Sequence, residues 1–292
     1  MLAIDIASSL VAREALAARH ELNKLLIPYY EAKHDQRPDV SDIIRGRANV
    51  LRREGFNDVD LGIQEITIPW VGTTNSIPTL FWLFLQVFSR PEYVDRIRVE
   101  AEAITSYSDG PTGRVAVLQA SKLEKHCPVL NACYQETLRV YLHSVGNRRV
   151  MTDATITGQE GREYLLKKGV NVQWPPMVTH FLQSVWGDDA EIFDPERFLR
   201  ATPQAEKLRR GALLPFGGGR HLCPGRKFAL AEILGFVSVV ALGFEVEGVS
   251  VPASTNPAFG SAPRQPVWGT ANPGFTLSRR VGWEDVTWKF VP

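Results

Sequence analysis

The chain is poor in sulfur and almost without net charge. Of its 292 residues, three are cysteine (Cys127, Cys133 and Cys223) and three are methionine. Thiols so few and so irregularly spaced exclude a disulfide framework and fit a reducing compartment, so each must be judged alone. Lys and Arg number 33 against 32 Asp and Glu, a formal charge of +1. No global field exists to draw in a polyanion, and no nucleic-acid partner is expected. The N-terminal residues lack a basic start, an apolar run and a small-residue cleavage site, so they do not read as a signal peptide. What is present is a globular composition, 44% hydrophobic and 22% charged. It suits one large domain or two small ones and excludes a disordered chain.

Leu16, Leu22, Leu25 and Leu26 recur at helical spacing. They predict an amphipathic helix that ends before Pro28 or soon after Tyr29 and Tyr30. Residues 66–88 contain no charge, and their length alone would permit a bilayer span. Thr73, Thr74, Asn75 and Ser76 nevertheless stand together at mid-run with Pro78 behind them, a cluster costly in lipid unless it lines a site. The pattern predicts a buried central helix, within 62–90, whose polar turn lines a cavity. Further helices are expected from Pro91, over 121–140 with an early break at Pro128, and over 226–242. Residues 105–117 read as a turn-rich connector, 148–174 as a small sheet, and 287–291 as a last strand. The expected fold class is mainly α with a small β component.

Chemistry concentrates in residues 215–225, PFGGGRHLCPG. Three consecutive glycines permit positive φ and let the backbone approach a flat ligand closely. Cys223 precedes Pro224, Gly225 and a helical run, so free backbone N–H groups and the positive end of a helix dipole favour its thiolate. Arg220, His221 and Arg226 add cationic or hydrogen-bonding groups. A phosphate loop does not fit, because neither G-x-x-x-x-G-K-[ST] nor G-x-G-x-x-G can be completed here. The residues alone leave an inert buried cysteine open as the alternative.

Phe216, Gly219, His221, Cys223 and Gly225 fall at the spacing F-x-x-G-x-[R/H]-x-C-x-G. This resembles the haem-binding loop of the cytochrome P450 family. Two more signatures occur in the order the family requires: Glu136 and Arg139 in NACYQETLRV match its E-x-x-R helix, and Phe193 to Phe198, FDPERF, match its P-E-R-F segment. Glu136 and Arg139 lie one helical turn apart and within pairing reach, and Arg197 is able to join them. The apolar run around them favours burial; a solvated surface pair is the alternative.

The resemblance implies a cytochrome P450 fold over 1–292, as the C-terminal part of such a protein. The segment that would hold a membrane anchor, the first sheet strands and most of the substrate lid has no counterpart here. It further implies haem ligated by Cys223 in the loop 215–225, with Phe216, Gly219, Arg220, His221, Gly225 and Arg149 binding the cofactor. Arg148 is the alternative to Arg149. Structural roles are implied for Glu136, Arg139 and Arg197, and for His180. His20, His34, His126 and His143 show no ligand spacing and read as surface or core residues. Aligning 71–76, VGTTNS, on the family's A-G-x-[D/E]-T-[T/S] puts Thr74 at the acidic position and Asn75 at the threonine that helps deliver protons on the distal side. These two are the expected catalytic residues, and Asn75 can both donate and accept around a water.

The activity implied is insertion of one oxygen atom from O2 into a lipophilic substrate, with electrons from a reductase, at the cytosolic face of the endoplasmic reticulum membrane for a full-length parent. No anchor is expected within these 292 residues. Two other readings stay open: a catalytically inert fragment, and a haem-thiolate isomerase or dehydratase that acts on a peroxide. WVGTTNSIPTLFW is similar to the central helix of the sterol-hydroxylase and prostacyclin-synthase branch, which points to sterols, fatty-acid derivatives or other lipophilic metabolites. Val267 and Trp268 are candidate pocket lining, with core packing an equal explanation.

Overall fold

The computed structural model describes residues 13–111, 113–158, 160–252, 255–256, 262–267 and 274–292. The chain divides into two compact units, residues 1–73 and 74–292. In the first, helices α1 (Arg13–Glu31), α2 (Asp42–Arg53) and α3 (Asp58–Glu65) enclose a small core of Tyr30, Ala48 and Leu61. α1 runs through Pro28 instead of stopping before it. A proline deprives only the carbonyl four residues back of its donor, and Lys24 is exposed, where water serves that carbonyl. Gly62 allows close packing on α1, since a Cβ there would stand 2.6 Å from the Ile27 Cα. Asn57 and Asp60 form a capping box that starts α3. Arg52 forks onto the buried Asp35 at 2.7 and 2.9 Å and holds its carboxyl below the usual range.

Helix α4 spans Thr67–Phe88. The range 62–90 is therefore too wide: residues 62–65 belong to α3, and apolar periodicity alone does not separate two consecutive helices. In the second unit, residues Trp82 to Phe88 of α4 are buried on every side, as expected of a segment apolar all round. They pack with helices α5 (Pro91–Ala103), α6 (Pro128–Tyr141) and, after a further helix α7 (Pro203–Ala212), α8 (Arg226–Gly243) into the main core. A short turn of helix, Leu123–His126, ends at Cys127 and the chain restarts at Pro128, which is the early break expected. Glu100 of α5 accepts the Val129 and Leu130 N–H groups at 2.7 and 3.1 Å, so the first turn of α6 is capped by a neighbouring helix.

The connector expected at 105–117 is a β-hairpin: β1 (Thr105–Gly110) pairs antiparallel with β2 (Gly113–Gln119). β1 is polar and at most half-buried, so its strand character comes from its partner and not from its own pattern. The last strand, Thr287–Val291, pairs parallel with β2. The region 148–174 forms two ladders and not one sheet: β3 (Gly146–Arg149) with β6 (Asn171–Trp174), and β4 (Ala154–Thr157) with β5 (Glu163–Leu166). Helices with a few small sheets are the fold class expected.

Candidate functional site

Glu136 and Arg139 project from α6 and are fully buried. The pair is bidentate: Arg139 Nε and Nη2 donate to the two carboxylate oxygens, each at 2.7 Å. Arg139 also donates to the carbonyls of His180 (2.8 Å), Ala190 (2.5 Å) and Ile192 (3.1 Å). Glu136 accepts the Asp194 N–H at 2.9 Å, and Arg197 Nε stands 3.5 Å from its Oε1. Arg197 is held more firmly by Asp189, at 2.7 Å, and by the carbonyls of Trp186 and Asp189. Asp189 is a member that motif spacing did not disclose, because the acid lies in a loop of no fixed period relative to Arg197.

His180 connects this cluster to the cysteine loop. Its Nδ1 lies 3.0 Å from the Arg139 carbonyl, and its Nε2 accepts the Leu214 N–H at 3.3 Å. Those two partners fix the neutral tautomer with the proton on Nδ1. Burial pushes the imidazole down to about 4.

Beyond Leu214 the loop closes on itself, with the Cys223 N–H donating to the Phe216 carbonyl at 3.0 Å and the Leu222 N–H to Gly219 at 3.2 Å. Gly217 and Gly219 have φ of 71° and 62°, where side chains are strained. Phe216 packs against the main core and anchors the loop, and α8 starts immediately after Gly225. Cys223 is partly exposed, whereas Cys127 and Cys133 are buried. Burial pushes the Cys127 thiol up to about 12 and raises Cys133 as well. Tyr134 of α6 is buried near enough to Cys223 that a thiolate there adds to the rise burial imposes on its phenol.

The loop fits a flat ligand whose metal binds sulfur. A Cβ added to Gly218 or Gly219 would meet nothing within 4 Å, so this backbone presents a bare face. A Cβ at Gly225 would stand 3.9 Å from the Cys223 Sγ, in ordinary contact with it. Around this face Gly219, Arg220, His221 and Gly225 are exposed. Arg148 and Arg149 are consecutive on β3 and alternate between its faces. Arg148 is half-buried with its guanidinium 5.1 Å from the Trp174 ring centroid, and Arg149 is exposed.

On α4, Thr74 and Asn75 are half-buried and Ser76 is buried. The Asn75 amide oxygen accepts the Ala262 N–H at 3.0 Å, and Thr79 Oγ1 donates to the Asn75 carbonyl at 2.8 Å. One of the two acceptor positions of the Asn75 amide oxygen is thus taken by a backbone N–H, a partner the residue type did not announce. Trp82 of α4, Tyr141 of α6 and His143 just beyond α6 hold the same segment. Trp82 stacks on Tyr141 at 4.1 Å and donates from Nε1 to the Arg264 carbonyl at 2.7 Å; Arg264 N–H donates to Tyr141 and His143 N–H to Ala262. Val267 is half-buried, and Trp268 lies outside the described residues.

A family model described as Cytochrome P450 matches residues 5–267. A cytochrome P450 monooxygenase of Gibberella zeae is 44% identical over 261 residues, 86% of this chain and 49% of that protein. The human 7-alpha-hydroxycholest-4-en-3-one 12-alpha-hydroxylase is 25% identical over 234 residues (77% and 46%), and prostacyclin synthase of Rattus norvegicus 27% over 248 residues (82% and 46%). The chain belongs to the cytochrome P450 family, whose cofactor is haem iron. It spans about half the length of the curated relatives it matches. Among the described residues no helix is long and apolar enough to cross a membrane.

Proposed function

We propose that this chain carries the haem-thiolate half of a monooxygenase that inserts one oxygen atom from O2 into a lipophilic substrate, served by an electron-donating reductase. The observation that carries the reading is the partly exposed Cys223 at the start of α8, preceded by Gly218 and Gly219 whose bare backbone leaves room for a flat ligand. Bound haem would supply O2 activation, and thiolate ligation favours O–O cleavage. Cys223 would ligate the iron, and Phe216, Gly219 and Gly225 would form the platform. Arg220, His221 and Arg149 would meet the carboxylates of the macrocycle, with Arg148 as the alternative to Arg149. Glu136, Arg139 and Arg197 act at a distance, holding the carbonyls and the histidine on which the loop rests. Thr74 and Asn75 would face the distal side. For a full-length parent the reading includes the cytosolic face of the endoplasmic reticulum membrane.

One observation favours a second reading, a haem-thiolate isomerase or dehydratase acting on a peroxide. The Asn75 oxygen is tied to Ala262 N–H, which leaves that side chain less able to pass protons than the usual threonine. Carbon monoxide added to the reduced, haem-loaded chain should give a thiolate-type Soret band that is lost in Cys223→Ala. No band in the parent chain would identify an inert fragment. In a complete version supplied with reductase, ¹⁸O from O2 should appear in the product; turnover of a peroxide without reductase or label would establish the second reading.

A further inference from the structure

His143 follows α6 and is half-buried, yet both of its ring nitrogens are sealed from solvent and neither has a hydrogen-bond partner. The same is true of Arg264 Nε. Leu142 and Pro263 form an antiparallel bridge, flanked by the bonds from Arg264 N–H to Tyr141 and from His143 N–H to Ala262. His143 and Arg264 therefore stand diagonally across one pairing, on one face of it. Burial, with the Arg264 charge second, pushes the His143 imidazole down to about 4, and the nearby Val140 carbonyl, poorly aligned for a hydrogen bond, opposes the shift least of the three. A neutral imidazole offers one donor and one acceptor, and the Arg264 Nε–H is a second donor.

The charge of Arg264 is also unbalanced. Its one side-chain bond runs from Nη1 to Thr255 Oγ1, at 2.9 Å, and it joins no ion pair among the described residues. In sequence, residues 74–88, 137–152 and 248–283 contain no Asp or Glu. A half-buried cation beside sealed, unpaired donors is costly unless something supplies the acceptor. Ala262, which bonds His143 through its carbonyl, bonds Asn75 through its N–H, so this pair adjoins the candidate distal face.

We infer that His143 and Arg264 form a carboxylate-binding site, which takes the acid group of an otherwise apolar ligand. The inference rests on the haem-thiolate reading only for its position beside Asn75. Two sources share this chemistry: the carboxylate of a fatty-acid-like substrate, and a propionate of haem.

Titration calorimetry on the whole chain separates them, with decanoate against methyl decanoate in one arm and haem against its dimethyl ester in the other. The free acid should bind at least about tenfold more tightly than its ester in the arm that matches the natural ligand, as a charge-assisted pair requires. Arg264→Met and His143→Leu should each reduce that preference to about twofold or less. Because neither side chain has a partner to lose at its sealed atoms, both variants should keep a melting temperature within a few degrees of the parent or above it. Equal binding of acid and ester in both arms, or a preference untouched by both variants, would leave an ordered water as the partner and overturn the inference. A carboxylate preference retained in a chain that shows no thiolate band would count against the haem-thiolate reading and not against this site.

Discussion

Glu136→Gln changes one atom and should be among the most damaging substitutions in the protein. Glu136 is fully buried and receives Arg139 Nε and Nη2, the Asp194 N–H and the charge of Arg197. Glutamine keeps the shape and an acceptor for Asp194. It also points an NH2 at the Arg139 guanidinium and leaves Asp189, itself 52% exposed, as the one carboxylate still paired with either arginine. Removing one partner of a buried pair costs about 3–5 kcal/mol, a large part of the ~5–15 kcal/mol that holds a typical domain. With a urea dependence near 3 kcal/mol per M, the unfolding midpoint should fall by about 1 M or more. Tryptophan fluorescence during urea titration measures it. Glu21→Gln is the control, because the Lys24–Glu21 pair is 69% exposed on both sides and contributes at most a few tenths of a kcal/mol. Replacing both members, as Glu136→Met with Arg139→Met, should not restore the midpoint, since the carbonyls of His180, Ala190 and Ile192 lose their donor. A Glu136→Gln midpoint within 0.3 M or so of the parent would refute the reasoning.

Cys223→Ala should abolish the thiolate spectrum of a haem-loaded full-length version, while Cys127→Ala and Cys133→Ala leave it; loss in either of the latter would move the ligand elsewhere. Acid should unfold the chain partly through His180, whose folded value near 4 lies below the 6.5 of the free side chain. The unfolded state binds the proton more readily, so the contribution is fully present above pH 6.5 and is lost as pH falls towards 4, amounting to ~3 kcal/mol. His143, lowered to the same region, adds to the slope, so His180→Gln should flatten the stability-against-pH curve between 6.5 and 4 only in part. An unchanged slope would exclude His180 from it. Gly146→Ala should destabilise the β3–β6 ladder, because the new Cβ would stand 2.0 Å from the Trp174 ring; a proteolysis rate equal to the parent's would show that the ring moves aside freely.

The parts legible in the sequence were those encoded by local periodicity or fixed spacing. The helix start at Pro91, the break at Pro128, the 18-residue α8 after Gly225, and the Glu136–Arg139 pair all depend on neighbours within a turn. β1 was not legible, since TSYSDG has no alternating apolar pattern and becomes a strand by pairing with GRVAVLQ. The division between α3 and α4 was hidden for a different reason: Leu61, Ile63, Ile66 and Ile68 keep apolar residues recurring across the junction, with no Gly, Pro or Asn between Ile63 and Ile68 to mark a stop. Asn75 shows the limit for the site. Its residue type announced an amide where the family has a hydroxyl, but its partner Ala262 lies far along the chain and offers only a backbone N–H, which no residue type advertises.

The physical reason the three family signatures must occur together can be traced bond by bond. Arg139 holds the carbonyl of His180 while the Arg139 carbonyl faces the His180 Nδ1, so the α6 pair fixes both ends of that histidine. His180 Nε2 then takes the Leu214 N–H, and the Leu214 carbonyl takes the N–H of Gly217, the first glycine of the cysteine loop. Arg197 of the P-E-R-F segment supports the same layer from Trp186 and Asp189, and Arg209 of α7 donates to the Arg197 carbonyl. Cys223 is therefore placed by a continuous polar relay that starts at a buried ion pair and passes through one neutral imidazole. A relay of this kind tolerates no protonation at its middle member. Charging His180 forces a second donor against the Leu214 N–H, which frees the loop before it disturbs the apolar core that α4, α6 and α8 share. Amide exchange should accordingly show Leu214, Gly217 and Cys223 losing protection at a higher pH than Leu130 or Leu234, and simultaneous loss at all five would mean that loop and core open as one unit.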